Sequence, residues 1–192
     1  MANKIKYGLK NVHYAVATID EKGAATYETP VPWPGAVSLS LSAEGETSKF
    51  YADDIAYYTS VSNNGYSGDY ESAMIPESFR TDVLGEESDS KQVLVEKAST
   101  EPVHFALLFE FAGDAKKIRH VLYNCVASRP DVSGNTKEES IDPATESISI
   151  TATSIYCEAL DSDIVKARTS ETTDPTAYDS WYTAVYEPSA AE

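Results

Sequence analysis

Apolar and polar residues alternate with a period of two along much of this chain, which is the pattern of half-buried β-strands. The segment Ile148 to Tyr156 (ISITATSIY) shows it most clearly, with isoleucine or alanine alternating with serine or threonine as far as Thr153. Val12 to Asp20 (VHYAVATID) alternates more loosely. A shorter run places Val37, Leu39 and Leu41 on one face. We predict a strand at each of these three places.

Four further segments have strand composition, bounded by turn residues. They are Gly65 to Ala73, Gln92 to Ala98, His104 to Phe111 and Arg119 to Ala127. The third, HFALLFEF, is the most apolar. Its odd positions give one apolar face, and Ala106 and Leu108 make the other face half-buried as well. We expect this strand to lie at the centre of the fold.

Glycine, proline and asparagine mark the connections. Glu44-Gly45-Glu46 and Ser62-Asn63-Asn64-Gly65 are turn signals on either side of an aromatic segment. The stretch Thr29 to Gly35 contains three prolines and cannot be a central strand, because proline donates no ladder hydrogen bond. We predict an ordered loop or an edge there.

Two segments predict helices. Pro76 to Leu84 begins with a proline suited to the first turn and ends before Gly85, a typical helix stop. Near the C-terminus, Asp174 is a candidate N-cap with Pro175 behind it. The apolar spacing i, i+3, i+4, i+7 then follows through Tyr178, Trp181, Tyr182 and Val185.

The chain has 192 residues, which favours one domain, and we predict a single unit over residues 1–192. Residues 1–10 are predicted as an N-terminal arm and residues 161–192 as a C-terminal linker with a helical arm. No apolar run approaches the ~20 residues needed to cross a bilayer, so no membrane binding is expected. The N-terminus lacks the pattern of a signal peptide, which predicts an intracellular product.

The charge is strongly acidic: 15 Lys and Arg against 31 Asp and Glu give a net charge of −16. Tight nucleic-acid binding depends on neutralising phosphates, so this balance argues against it. The acidic charge is compatible with a surface that DNA passes without binding. A simpler interpretation is that the charge keeps a self-associating protein soluble.

The segment Phe50 to Tyr58 (FYADDIAYY) contains Tyr-x-Asp-Asp, which resembles the motif of a polymerase metal site. Such a site needs a third carboxylate and a much larger fold, and this chain has only about 50 residues before Asp53 and Asp54. On a regular strand the two carboxylates point to opposite faces. We therefore predict that they lie at a hairpin tip or a subunit contact.

No other constellation indicates catalysis, and we expect no enzyme activity and no cofactor or metal. His13, His104 and His120 are scattered on predicted strands without metal-ligand spacing. Cys125 and Cys157 belong to no CxxC motif and are expected as small apolar strand residues, with a disulfide as the minor alternative. The sequence contains no P-loop, no GxGxxG and no GxSxG.

Tyrosine is abundant, with 13 residues, and many lie off the predicted core faces. Tyrosine suits interfaces, where its ring packs while its hydroxyl still finds a partner; high β-propensity is the alternative explanation. We predict two groups of subunit-contact residues. They are Phe50, Tyr51, Asp53, Asp54, Tyr57, Tyr58, Tyr66 and Tyr70 in the first group, and Trp181 and Tyr182 in the second.

An ordered set of short segments resembles the major tail protein family of long, non-contractile-tailed bacteriophages. The set comprises Tyr51-Ala52-Asp53-Asp54, Ile75 to Phe79, Leu84-Gly85, Phe105 to Glu110, Gly113-Asp114, Arg119, Tyr123-Asn124, Ser128-Arg129-Pro130, Thr136, Glu146 to Thr151 and Trp181 to Pro188. It covers nearly the whole chain.

This resemblance implies a mainly β fold with a flanking helix, namely a β-sandwich or partly closed barrel of the tail-tube type. It implies six-fold rings that stack into a hollow tube in the virion tail, with subunits made in the bacterial cytoplasm. The resemblance also implies that phage DNA passes through the lumen without specific binding. The implied partners are further copies of the chain, the tape measure protein, and the tail terminator and distal tail proteins.

Two alternatives belong to other classes. The chain is alternatively a capsid decoration or baseplate component of a phage, which the acidic, strand-rich sequence fits as well. A metal-dependent enzyme at Asp53 and Asp54 is a distant third, because the pair lacks the partners that such a site requires.

Overall fold

The computed structural model describes residues 3–134, 136 and 143–190. The chain is mainly β, with 49% strand and 8% helix. In chain order the elements are β1 (Lys6–Ile19), β2 (Ala25–Tyr27), β3 (Val31–Pro32), β4 (Ala36–Glu44), β5 (Thr47–Ala52), β6 (Ile55–Val61), β7 (Gly65–Ser72), α1 (Glu77–Asp82), β8 (Glu87–Ser88), β9 (Leu94–Val95), β10 (Phe105–Gly113), β11 (Ile118–Ala127), β12 (Glu146–Thr153), β13 (Ile155–Cys157), β14 (Ser162–Ile164), β15 (Lys166–Arg168) and α2 (Pro175–Asp179).

One large antiparallel sheet organises the chain. Its main path runs β2-β1-β10-β11-β12-β7-β4, while β3 adds to β1 and β15 adds to β11. The sheet is not closed into a barrel. Residues of its two distant strands β1 and β4 nevertheless approach within 8 Å between Cα atoms. The sheet is therefore strongly curved about one face.

The concave face holds the main core. Phe105, Leu107 and Phe109 of β10 point into it, as the alternation of β10 predicted. Helix α1 lies within the predicted range 76–84 and contributes Phe79, whose ring meets those of Trp33 at 4.3 Å and Phe105 at 5.3 Å. The predicted helix is confirmed, and it caps this core.

The opposite face of the sheet carries a second core. Ala106 and Leu108, the alternate residues of β10, pack there with Trp181 and Val185 from the C-terminal segment. The predicted helix behind Asp174 is present as α2. The prediction of a linker and arm is wrong for the residues of β14 and β15, and for Trp181 and Val185, which pack on this sheet.

The predicted N-terminal arm over residues 1–10 is also wrong for its second half, Lys6 to Lys10. Strand β1 begins at Lys6 and pairs with β10, with Lys6 opposite Gly113 and Lys10 opposite Glu110. The exposed lysines hid this strand, because its first residues have almost no buried face. The pairing partner lies about a hundred residues away.

Other strand predictions have mixed outcomes. In β12 the residues Ile148 and Ile150 are buried while their neighbours are exposed, as predicted. Val37 was expected to share the inner face of Leu39, but it is exposed because the register of β4 shifts between Ala36 and Ser38. The strand predicted over 92–98 is reduced to the two residues of β9.

Candidate functional site

Strands β5 and β6 form a hairpin that stands apart from the large sheet. Ala52 pairs with Ile55, so Asp53 and Asp54 alone make the turn, with φ of 51° and 62°. Two successive left-handed residues are the requirement of a type I′ turn, and aspartate tolerates that conformation better than most side chains. The prediction that this pair lies at a hairpin tip is confirmed.

The hairpin exposes an unusual amount of apolar surface. Every residue of its two strands is exposed except half-buried Ala52. Six large side chains are between 62% and 73% exposed: Phe50, Tyr51, Ile55, Tyr57, Tyr58 and Val61. An isolated two-stranded hairpin buries little surface, so folding of the single chain does not explain why these positions are large and apolar. This composition is typical of a surface that contacts another molecule.

Hydrogen bonds between its two chain segments hold the root of the hairpin together. The two predicted turns, 44–46 and 62–65, pair with each other instead of reversing the chain. Ser62 N donates to Glu46 O at 3.0 Å, and Asn64 N donates to Glu44 O at 2.9 Å. The hairpin therefore continues the β4–β7 pair outward.

Glycines permit this junction. A Cβ on Gly45 would lie 2.2 Å from Ser62 O. Gly65 has a φ of +103°, and a Cβ there would lie 1.9 Å from Ala152 O. Neither position accepts a side chain without backbone movement.

The remaining predicted contact residues divide into core and surface. Tyr70 and Trp181 are 0% and 2% exposed, so these two candidates are core residues in this chain. Tyr70 packs edge-on against Trp33 at 4.8 Å, and Trp181 Nε1 donates to His120 O at 3.3 Å. Apolar spacing alone does not separate a core aromatic residue from an interface one.

Tyr66 and Tyr182 are half-buried. The hydroxyl of Tyr66 accepts a hydrogen bond from Lys166 Nζ at 2.5 Å. The ring of Tyr182 stacks on His13 at 4.6 Å, and its hydroxyl donates to Glu110. Both are already engaged within the chain.

The geometry gives no support to metal chemistry at Asp53 and Asp54. Over residues 3–134, 136 and 143–190, no group of three or more His, Cys, Asp or Glu side chains is placed to hold a metal ion. Cys125 and Cys157 are both free and buried. In the same part of the chain, no helix is long and apolar enough to cross a membrane.

The sequence patterns missed one electrostatic feature, a concentration of positive charge at one end of the sheet. We call it the basic end, and it comprises Lys4, Lys6, Lys10, Lys116, Lys117, Arg119, Lys166 and Arg168. These are eight of the 15 Lys and Arg residues. Strands β1, β10, β11 and β15 bring them together from three distant parts of the chain.

Comparison with known proteins leaves the family open. No protein-family model matches the chain, and no curated protein is significantly similar to its sequence.

Proposed function

We propose that this chain is a structural subunit of the tail tube of a long, non-contractile-tailed bacteriophage. Copies assemble into six-fold rings, and the rings stack into a conduit for DNA. The proposal joins the sequence resemblance to a mainly β fold with a flanking helix and a curved, open antiparallel sheet. The chain itself performs no catalysis in this account.

The observation that carries the proposal is the exposed hairpin of β5 and β6. Six large apolar side chains project from it. Burying each such side chain stabilises a complex by roughly 1.5–3 kcal/mol, before the costs of association are subtracted. A hairpin whose backbone pairing is already formed is a good contact element, because it has less conformational freedom to lose when it docks.

The open sheet supports repeated association. Strands β2 and β4 end the main path of the sheet and leave edges. Natural proteins cover or pair such edges, because exposed ladders recruit other strands. A head-to-tail contact between copies closes into a ring when the rotation between them closes.

The charge fits a passage for DNA. A net charge of −16 repels a polyanion and prevents tight binding to the wall. In this proposal the tube lies in the virion tail and its partners are other tail proteins: the tape measure protein inside, and the terminator and distal tail proteins at its ends.

Sedimentation velocity over a wide concentration range tests the proposal. We expect a species of six subunits or more that grows with concentration. A protein that stays monomeric at every concentration would exclude a tube subunit. Trimers or closed shells would instead favour a decoration or baseplate protein.

A further inference from the structure

A pocket opens at the end of the main core, beside the root of the hairpin. It lies between β4 and β7 on one side and β10 and β11 on the other. Its buried and half-buried lining is mostly apolar, including Leu39, Phe109 and Phe111, and also contains His120. Its exposed lining is Lys6 and Lys166. The pocket thus has an apolar floor and a positive rim.

The two rim lysines rest on aromatic rings. Lys6 Nζ lies 4.9 Å from the centroid of Phe111, and Lys166 Nζ lies 4.1 Å from that of Tyr66. Within the described residues neither lysine forms a salt bridge with a carboxylate; the bridges there involve other cations. An incoming carboxylate therefore displaces no acidic partner.

The hairpin has the complementary chemistry. Residues 44–61 contain four acids, Glu44, Glu46, Asp53 and Asp54, and one base, Lys49. At the tip the acids stand between exposed Tyr51 and Ile55, each 62% exposed. An acidic tip with apolar shoulders matches a pocket with a positive rim and an apolar floor. Such charge complementarity gives specificity and orientation to a contact.

We propose that the pocket receives the hairpin tip of a second copy of this chain. Asp53 and Asp54 of that copy pair with Lys6 and Lys166. Its Ile55, which shares one face of the hairpin with Ala52, covers the apolar floor. The inference rests on the proposed function, since it names the two surfaces through which the subunits join.

The geometry of the hairpin makes this a contact between copies. The pocket lies beside the root, because Tyr66 follows directly on Gly65. The tip lies six residues beyond the root, about 20 Å at ~3.3 Å per residue. A chain cannot place its tip in its own pocket while the root hydrogen bonds persist. The contact joins two different surfaces, and in the rings of the proposed function it is head-to-tail.

Zero-length crosslinking tests the contact directly. Equal amounts of ¹⁴N- and ¹⁵N-labelled full chain are mixed, assembled and treated with a carbodiimide. We expect mixed-isotope peptides that join Asp53 or Asp54 to Lys6 or Lys166. Crosslinks between copies that avoid the pocket would overturn the inference.

Neutralising variants give a second, quantitative readout. Asp53→Asn/Asp54→Asn keeps the turn, because asparagine tolerates positive φ, and Lys6→Gln/Lys166→Gln neutralises the rim. We expect each pair to raise the critical concentration for assembly about tenfold, and the quadruple variant to raise it little further. An effect near the product of the two would show that the surfaces act independently. The matched controls are Glu21→Gln/Glu28→Gln and Lys22→Gln/Lys91→Gln, which we expect to assemble normally.

The outcomes separate this inference from the proposed function. A wild-type chain that never assembles overturns both. Normal assembly of both neutralised variants overturns the pocket contact alone. Labelled duplex DNA and inorganic phosphate are titrated in parallel. Binding of either that depends on Lys6 and Lys166, with assembly unchanged, would make the pocket an anion site and overturn the inference.

Discussion

The hydroxyl of Tyr182 donates a hydrogen bond to Glu110 Oε2, with 3.3 Å between the oxygens. Glu110 is 1% exposed and also meets Lys117 Nζ at 2.9 Å and Asn11 Nδ2 at 2.8 Å. One buried carboxylate therefore links the N-terminal strand, the β10–β11 hairpin and the C-terminal segment. Arg119, with its Nε 3.4 Å from Glu110, completes the cluster.

Removing this charge should destabilise the fold. Glu110→Gln keeps the shape of the side chain but leaves exposed Lys117 and half-buried Arg119 without their carboxylate. We expect a loss of about 2–3 kcal/mol in the free energy of unfolding, measured by urea denaturation. Glu77→Gln, at an exposed site on α1, is the control and should change little. A loss below ~0.5 kcal/mol for Glu110→Gln would contradict the role of this cluster.

His120 should make stability depend on pH. Burial, and then the charges of Arg168, Lys166 and Lys6, lower the pKa of His120 from 6.5 to about 4. Between these pH values His120 is protonated in the unfolded chain and neutral in the folded chain. The free energy of unfolding therefore decreases as pH falls from 6.5 to about 4, and this contribution is constant below that. We expect His120→Gln to remove this component. The slopes of the free energy of unfolding against pH, for the wild-type chain and the variant, then differ by at most about 1.4 kcal/mol per pH unit, the value for one proton. Parallel stability curves for the two proteins would refute the assignment.

Gly65 should tolerate no side chain. Its φ of +103° and the 1.9 Å approach of a Cβ to Ala152 O both oppose substitution. We expect Gly65→Ala to lower the free energy of unfolding by at least about 2 kcal/mol. Gly134→Ala is the matched control, because a Cβ there meets nothing within 4 Å. Equal stability of the two variants would show that the hairpin root is not rigid.

The apolar residues of the hairpin should govern assembly and not folding. Tyr57 and Tyr58 are 71% and 63% exposed, so Tyr57→Ser/Tyr58→Ser removes no core contact. We expect an unchanged free energy of unfolding and a critical concentration at least ~10-fold higher in sedimentation, because buried tyrosines dominate many interfaces. Met74→Ser is the control, at a site 72% exposed outside the hairpin. If Met74→Ser reduced assembly as much as Tyr57→Ser/Tyr58→Ser, the hairpin would not be the main contact between subunits.

Sequence patterns predicted the elements that short-range periodicity and end signals define. The alternation around Ile150 gave β12, and Pro76 with Gly85 bounded the helix that buries Phe79. The N-cap at Asp174 is also confirmed, since its Oδ1 accepts from Thr176 N at 2.8 Å. Helix α2 nevertheless stops at Asp179, where the chain turns and Trp181 packs against the sheet.

The sequence patterns missed features that depend on pairing between strands far apart in the chain. The lysine-rich start of β1 becomes a strand only because β10 offers a partner. The basic end is invisible to composition, since the net charge of −16 hides eight cations that the sheet collects from three segments. The hairpin tip was predictable because an Asp-Asp pair between aromatic segments sets its own turn. Which tyrosines are core and which are surface depended on the packing of the whole sheet.

Negative-stain electron microscopy of the purified full chain at high concentration shows whether it forms a tube. We expect stacked rings with six-fold end views and a hollow axis, and their loss in the Tyr57→Ser/Tyr58→Ser variant. Fields of single particles without rings or tubes, for the wild-type chain at every concentration, would contradict it.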